Sequence, residues 1–161
     1  MAVDMFIKLD GIKGESIDAK HKTEVDILAW SWGMSQSGTT HVGTGGGAGK
    51  VNVQDLSFTK YIDSSSHLLI MACATGKHIP KAWVTVRKAG ETPLEYLKID
   101  LEDILVSSVQ TGGSGGEDRL TENVVLNFAR FKFAYQPQDP KGGKLGGELI
   151  AHFDIAKNAK V

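Results

Sequence analysis

At 161 residues, with 41% apolar and 23% charged positions, the chain has the composition of one globular domain able to bury a core. Its 18 basic and 19 acidic residues leave a formal net charge of −1, too little positive charge to hold a nucleic acid or an anionic membrane, and neither is expected as a partner. Cys73 is the only cysteine, which excludes an internal disulfide and an all-thiolate metal site.

The N-terminal stretch MAVDMFIKLD is broken by Asp4 and Lys8 and reads as neither a signal peptide nor a membrane anchor. Folding in the cytoplasm is the expectation, with any export left to a machine that handles folded protein. The same stretch alternates Val3, Met5, Ile7 and Leu9 with Asp4, Lys8 and Asp10, the pattern of a strand buried on one face.

Val25–Met34 reads as a second strand, with Leu28, Trp30, Trp32 and Met34 on one face and Ile27, Ala29, Ser31 and Gly33 on the other. The bulky face is expected to fill the core, since a tryptophan buries roughly 150–250 Å². Ser35–Gly49 (SQSGTTHVGTGGGAG) follows as a polar, glycine-rich connection, and structureless loops of about 15 residues are usually functional.

Val51–Tyr61 changes phase midway, from Val51 and Val53 to Leu56 and Phe58. Leu120–Tyr135 does the same, from Leu120, Val124, Leu126 and Phe128 to Phe131, Phe133 and Tyr135. Each shift predicts a β-bulge or a bend at a barrel corner, or simply two short strands that abut. Between them lies one helix, capped by Asp63 or a serine from Ser64 to Ser66, with Leu69, Ala72 and Cys73 on one face and Gly76 at its end.

Ala82, Val84 and Val86 alternate with Lys81, Thr85 and Arg87. Leu97, Ile99 and Leu101 alternate with Lys98, Asp100 and Glu102, and Leu149, Ala151, Phe153 and Ile155 with Glu148, His152 and Asp154. Thr111–Asp118 and Pro137–Gly147 are further loops. Residues 1–161 thus form a single domain, mainly β, an antiparallel barrel of two packed sheets with one flanking helix.

Catalytic patterns are incomplete. Gly112-Gly113-Ser114-Gly115-Gly116 fits the nucleophile elbow only if a helix follows, yet Leu120–Tyr135 reads as strand. Gly43–Lys50 approaches a phosphate loop but has Thr44 where glycine is needed and Val51 where Ser or Thr is needed. His21, His41, His67, His78 and His152 lack metal-ligand spacing. Adjacent Glu102 and Asp103 should point to opposite faces of a strand, and Glu117-Asp118-Arg119 reads as a solvated loop cluster. No enzyme activity, cofactor or metal is expected.

Three strings carry a likeness to a known family: LAWSWGMSQS (Leu28–Ser37), KVNVQDLSFTKY (Lys50–Tyr61) and GGSGGEDRLTENVVLNFARFKFAY (Gly112–Tyr135), the last followed by Gln136-Pro137-Gln138. With them the chain resembles, over nearly its whole length, the haemolysin-coregulated protein (Hcp) family of type VI secretion systems. The resemblance implies a barrel with a flanking helix, similar to phage tail-tube proteins and assembled as a homo-hexameric ring. Rings of this kind stack into a tube, are tipped by a spike protein and driven by a contractile sheath. They leave the cell without a cleavable signal peptide, with small effector proteins carried and protected in the lumen.

The residues add detail to that expectation. Ala29, Ser31 and Gly33 form a smooth strip that either lines the lumen or packs against a second sheet. The loop reads equally as an arm reaching a neighbouring subunit or ring, through Thr40, His41, Val42, Thr44 and Lys50, and as a mobile surface loop. A different class of function is a small-molecule-binding barrel of lipocalin type, with Trp30, Trp32 and Trp83 lining a cavity.

Overall fold

The computed structural model describes residues 3–38 and 49–161, and period-two alternation becomes strand through most of them. In chain order the elements are β1 (Val3–Leu9), β2 (Val25–Asp26), β3 (Ala29–Ser31), β4 (Met34–Ser35), β5 (Asn52–Val53), β6 (Leu56–Tyr61), α1 (Ser66–Thr75), β7 (Ile79–Lys88), β8 (Leu94–Gly112), β9 (Thr121–Tyr135), β10 (Leu149–Asp154) and β11 (Ala159–Lys160). Every strand pair described is antiparallel. Nine strands make one sheet, ordered β11-β10-β9-β8-β7-β1-β2, with β6 lying between β9 and β3, while β4 and β5 pair separately.

The mainly β class with one helix agrees with the alternation, but the described strands form no closed barrel. The strand expected over Val25–Met34 would have been one stave of it, and it is broken into β2, β3 and β4. Ile27 N–H donates to the Met5 carbonyl, on the β1 side, and Leu28 N–H donates to the Thr59 carbonyl, on the β6 side. The chain changes partner within one residue, and a backbone that leaves one ladder for another cannot hold its side-chain phase. Val25 and Ile27 are therefore buried, Leu28 and Met34 lie exposed, and Trp30 and Trp32 pack half-buried against the core. The bulky face exists only from Trp30 to Trp32.

The two phase shifts resolve differently. Over Val51–Tyr61 two short strands abut, with Gln54 and Asp55 between β5 and β6. Over Leu120–Tyr135 β9 runs on as one strand whose first half pairs with β6 and whose second half pairs with β10. The bend brings both Phe128 and Phe131 inside, where Phe131 meets Trp32 edge-on at 4.8 Å between ring centres. A register shift does occur opposite it, in β8 between Val106 and Ser108. Asp103 adopts a left-handed φ of 55°, so it does not point away from Glu102 as a regular strand would require. Arg130 reaches both carboxylates, at 2.7 Å and 2.5 Å. The His78 hydrogen bond and this guanidinium hold the Asp103 carboxyl below its ordinary range.

One cluster of buried side chains forms the core, drawing Ile7 from β1, Val25 from β2, Phe58 from β6, Leu69 from α1, Val84 from β7, Leu101 from β8 and Leu126 from β9. Each such residue contributes roughly 1.5–3 kcal/mol by leaving water. The helix starts where Asp63 accepts the Ser65 N–H at 2.8 Å, and it ends at Gly76 with φ 68°. Leu69 and Ala72 are buried, as their spacing predicts, and Cys73 is half-buried beside them. The C-terminal alternation gives β10, but Leu149 and Ala151 lie exposed instead of buried.

The connection from β1 to β2 is tied down by charge. Arg87 on β7 donates to Asp18 at 2.6 and 3.0 Å and to Asp4 at 3.0 Å. That guanidinium holds the Asp18 carboxyl well below the usual carboxylate range. A depressed carboxyl stabilises the fold above its unfolded value near 4 and loses that contribution as pH falls through the folded value. Asp18→Asn is therefore expected to lower the melting temperature at pH 7, with the deficit narrowing below about pH 4. Parallel thermal melts of the two proteins across pH check this, and a deficit independent of pH would contradict it.

Candidate cargo-facing and assembly surfaces

Strand register aligns four strands so that one face packs on the core and the other is bare. Inward, Trp30 stands opposite Phe58, Phe58 opposite Val124, and Val124 opposite Val109. One residue away the side chains point to the opposite face. There Ala29, Thr59, Asn123 and Gln110 form one row across β3, β6, β9 and β8, and Ser31, Ser57, Val125 and Ser108 form the next. Both rows lack any charge. Ser57 and Thr59 hydroxyls donate to Asn123 Oδ1 at 3.3 and 3.2 Å, which fixes the amide in the middle of the face. Charged groups sit at its two ends: Asp55, accepting from Ser107 and Asn127 at 2.9 Å each, and Arg119, 3.8 Å above the Tyr61 ring.

The neutrality has a cause on the other side of the sheet. Lys60 and Glu122 fall in phase with Phe58 and Val124, so they point inward, and both are fully buried. Lys60 Nζ donates to Glu122 and, at 3.1 Å, to Ser66 Oγ, with Asp63 Oδ1 also 3.1 Å away. Ser66 Oγ donates to Glu122 at 2.6 Å. The cluster pins the start of α1 to β6 and β9 and takes two charges off the bare face.

Ala29 and Ser31 of the predicted strip are exposed and lie on this face, not under a second sheet. Gly33 lies past the end of β3, half-buried against Gln54, whose side-chain oxygen would stand 3.3 Å from an added Cβ. Lys50 is exposed, whereas Thr40, His41, Val42 and Thr44 lie outside the described residues. Sequence reading missed Ser57, Thr59, Asn123, Ser108 and Gln110. The usable signal was the opposite-sign pair Lys60 and Glu122 falling on apolar phases, which leaves the alternate positions as the free face.

Both flanks of the four-stranded unit are open. β3 has β6 on one side and no described partner on the other. Beyond Ile104, where β7 ends its pairing, the 105–112 half of β8 has β9 as its only strand partner among the described residues. Between β4 and β5 on one side and β9 to β11 on the other, a groove of about 640 Å³ is lined by Met34, Val51, Val53, Phe131, Ile150 and Phe153 with His152 and Lys160 among them, and no tryptophan is in its wall. Trp32 instead packs on Phe131, and Trp83 lies under Lys8 at 5.3 Å. A tryptophan-lined cavity of lipocalin type is thus not what the fold builds. Ser114 sits in the turn between two strands, with no helix after it to make a nucleophile elbow. Among the described residues no three His, Cys, Asp or Glu side chains gather to hold a metal.

Known proteins share this arrangement. The family model described as "Type VI secretion system effector, Hcp" matches residues 6–135. The chain is 63% identical to "Protein hcp1" of Pseudomonas aeruginosa over 161 residues, covering 99% of each. Among solved structures, Hcp1 of Salmonella typhimurium aligns at TM-score 0.83 with 42% identity over the full length of both chains. A structure titled as a type six secretion system protein aligns at TM-score 0.92 with 31% identity, over 99% of this chain and 100% of the other.

Proposed function

This chain belongs to the Hcp family of type VI secretion proteins, and from that premise we propose that six copies close into a ring of the secretion tube, whose lumen carries small effectors. The observation that supports this best is the bare, uncharged face on a four-stranded unit with two unlike open edges. A head-to-tail contact between unlike edges closes into a ring when the rotation allows, and it also removes the hazard of unpaired strands. Joining β3 of one protomer to the 105–112 half of β8 in the next continues the sheet. The core and the helix cover its other face, so the bare face must turn to the inside.

Six protomers would contribute about two dozen strands. At about 4.8 Å per strand the backbone cylinder is about 37 Å across, wide enough for a small folded domain. A neutral wall of hydroxyls and amides holds such cargo by short-range hydrogen bonds and leaves it free to go when rings separate. Stacked rings, a spike at the tip and a contractile sheath complete the reading, with assembly in the cytoplasm followed by export. Among the described residues no helix is long and apolar enough to cross a membrane.

Ser31→Gln puts a long side chain on the bare face without touching the core. It is expected to leave the ring intact and to cut cargo retention at least tenfold, measured by co-purification of an effector encoded with the same secretion system. Undiminished retention would remove the lumen assignment.

A further inference from the structure

The bare face is not flat. Beside the turn from β8 to β9 it sinks into a hollow of about 460 Å³, walled by Thr59, Gln110, Thr111, Ser114, Glu117 and Asn123. Gly112 and Gly113 belong to the same wall and bring no side chain, so another main chain can come close there. Glu122 also borders the hollow, but its carboxylate lies on the other side of the sheet, bonded by Lys60 and Ser66.

One group in the hollow is held in a fixed direction. Asn123 Oδ1 accepts from Ser57 and Thr59 at 3.3 and 3.2 Å, which uses its two lone pairs and stops the amide from turning. Nδ2 has no partner among the described residues, so its two N–H groups are left for whatever enters. Gln110, Thr111 and Ser114 are exposed and can turn to donate or accept, so they select less sharply. The fixed donors call for an acceptor, and the surroundings decide which. Glu117, exposed at the rim, carries the one charge among the lining residues besides the inward Glu122. A cargo carboxylate in a hollow of this size would stand within about 10 Å of it, where salt screens incompletely and like charges repel. A neutral carbonyl meets no such penalty. Main-chain carbonyls within helices and sheets are already bonded, whereas those of exposed loops are free.

We infer that this hollow is the part of the wall that selects cargo, and that it takes an exposed loop of the effector whose main-chain carbonyl accepts from Asn123 Nδ2. The inference rests on the lumen reading and deepens it by naming the group on the cargo that is recognised. Asn123 is then the specificity-determining residue, and Ser57 and Thr59 position it. Selection follows from an asymmetry: a donor stranded away from water costs more than a made bond returns. An effector patch that covers the hollow with apolar or donor groups strands the Asn123 N–H groups, and one that offers a carboxylate meets Glu117. Only a neutral acceptor avoids both.

Asn123→Asp tests this with almost no change of shape: the bonds from Ser57 and Thr59 stay, and the free donor becomes an acceptor. Retention of an effector encoded with the same secretion system is measured by co-purification, with ring mass from light scattering alongside. The variant is expected to keep the ring and to cut retention at least tenfold relative to the parent. The loss should persist in about 1 M salt, where charges more than about 3 Å apart are screened. Asn123→Leu, with neither donor nor charge, is expected to lose as much. Parent-like retention in either variant overturns the assignment, and so does a loss that about 1 M salt reverses. Ser31→Gln keeps the two readings apart. If it cuts retention and the Asn123 variants do not, cargo lies on the face but is not selected at Asn123; if none of the three does, the lumen reading itself fails.

Discussion

Lys60→Met is expected to destabilise the protein by about 3–5 kcal/mol, the cost of leaving a buried partner charge uncompensated. Glu122 has no exposed side-chain surface, and one of its oxygens, Oε2, already lacks a partner, so losing the ammonium leaves Ser66 as its remaining side-chain donor. Replacing both residues, as Lys60→Met with Glu122→Leu, is expected to recover most of that loss, since an apolar pair suits the phase of Phe58 and Val124. Chemical denaturation at one fixed protomer concentration measures both, the fixed concentration being needed because any self-association would add to the stability read. A single variant as stable as the parent would mean that the pair does not hold α1 to the sheet. The double variant also separates stability from specificity: it keeps the bare face neutral, so cargo retention should survive.

Phe131→Ala is expected to cost a similar 3–5 kcal/mol. The ring lies where β9 passes from β6 to β10, 4.8 Å from Trp32 and 6.1 Å from Phe153. Removing it opens a cavity under the bend that rigid strands on both sides cannot refill. The emission of Trp32 should shift to the red with the loss of its edge-on neighbour. Denaturant unfolding followed by tryptophan fluorescence measures both effects, and an unshifted spectrum with a small loss of stability would show that the bend is held by other contacts.

How much of this was legible in the sequence depended on whether one chain segment kept one partner. β1 pairs with the 82–88 part of β7, and Ile7, Leu9, Ala82, Val84 and Val86 are buried as the alternation reads, but Val3 is exposed and Phe6, Thr85 and Arg87 are buried on the phase read as polar, where Phe6 stacks on His21 and Arg87 bonds Asp18 of the following connection. The helix was legible because Asp63, Leu69 and Gly76 each do a local job. Val25–Met34 misled because alternation gives the phase of a strand and not the point where it leaves one neighbour for another. Leu149 and Ala151 misled for another reason: alternation marks an apolar strand face but not whether another part of the chain comes to cover it. Ala29 and Ser31 were readable as a smooth strip, but the rest of the bare face needed the cross-strand register that only folding supplies.

The ring is the claim on which the lumen and the cargo reading depend. Absolute mass from light scattering during size-exclusion chromatography, at several loading concentrations, tests it most directly. The account predicts a species six times the 17.3 kDa subunit, or stacks of that species, with dissociation only on dilution. A monomer of constant mass across all concentrations would contradict it.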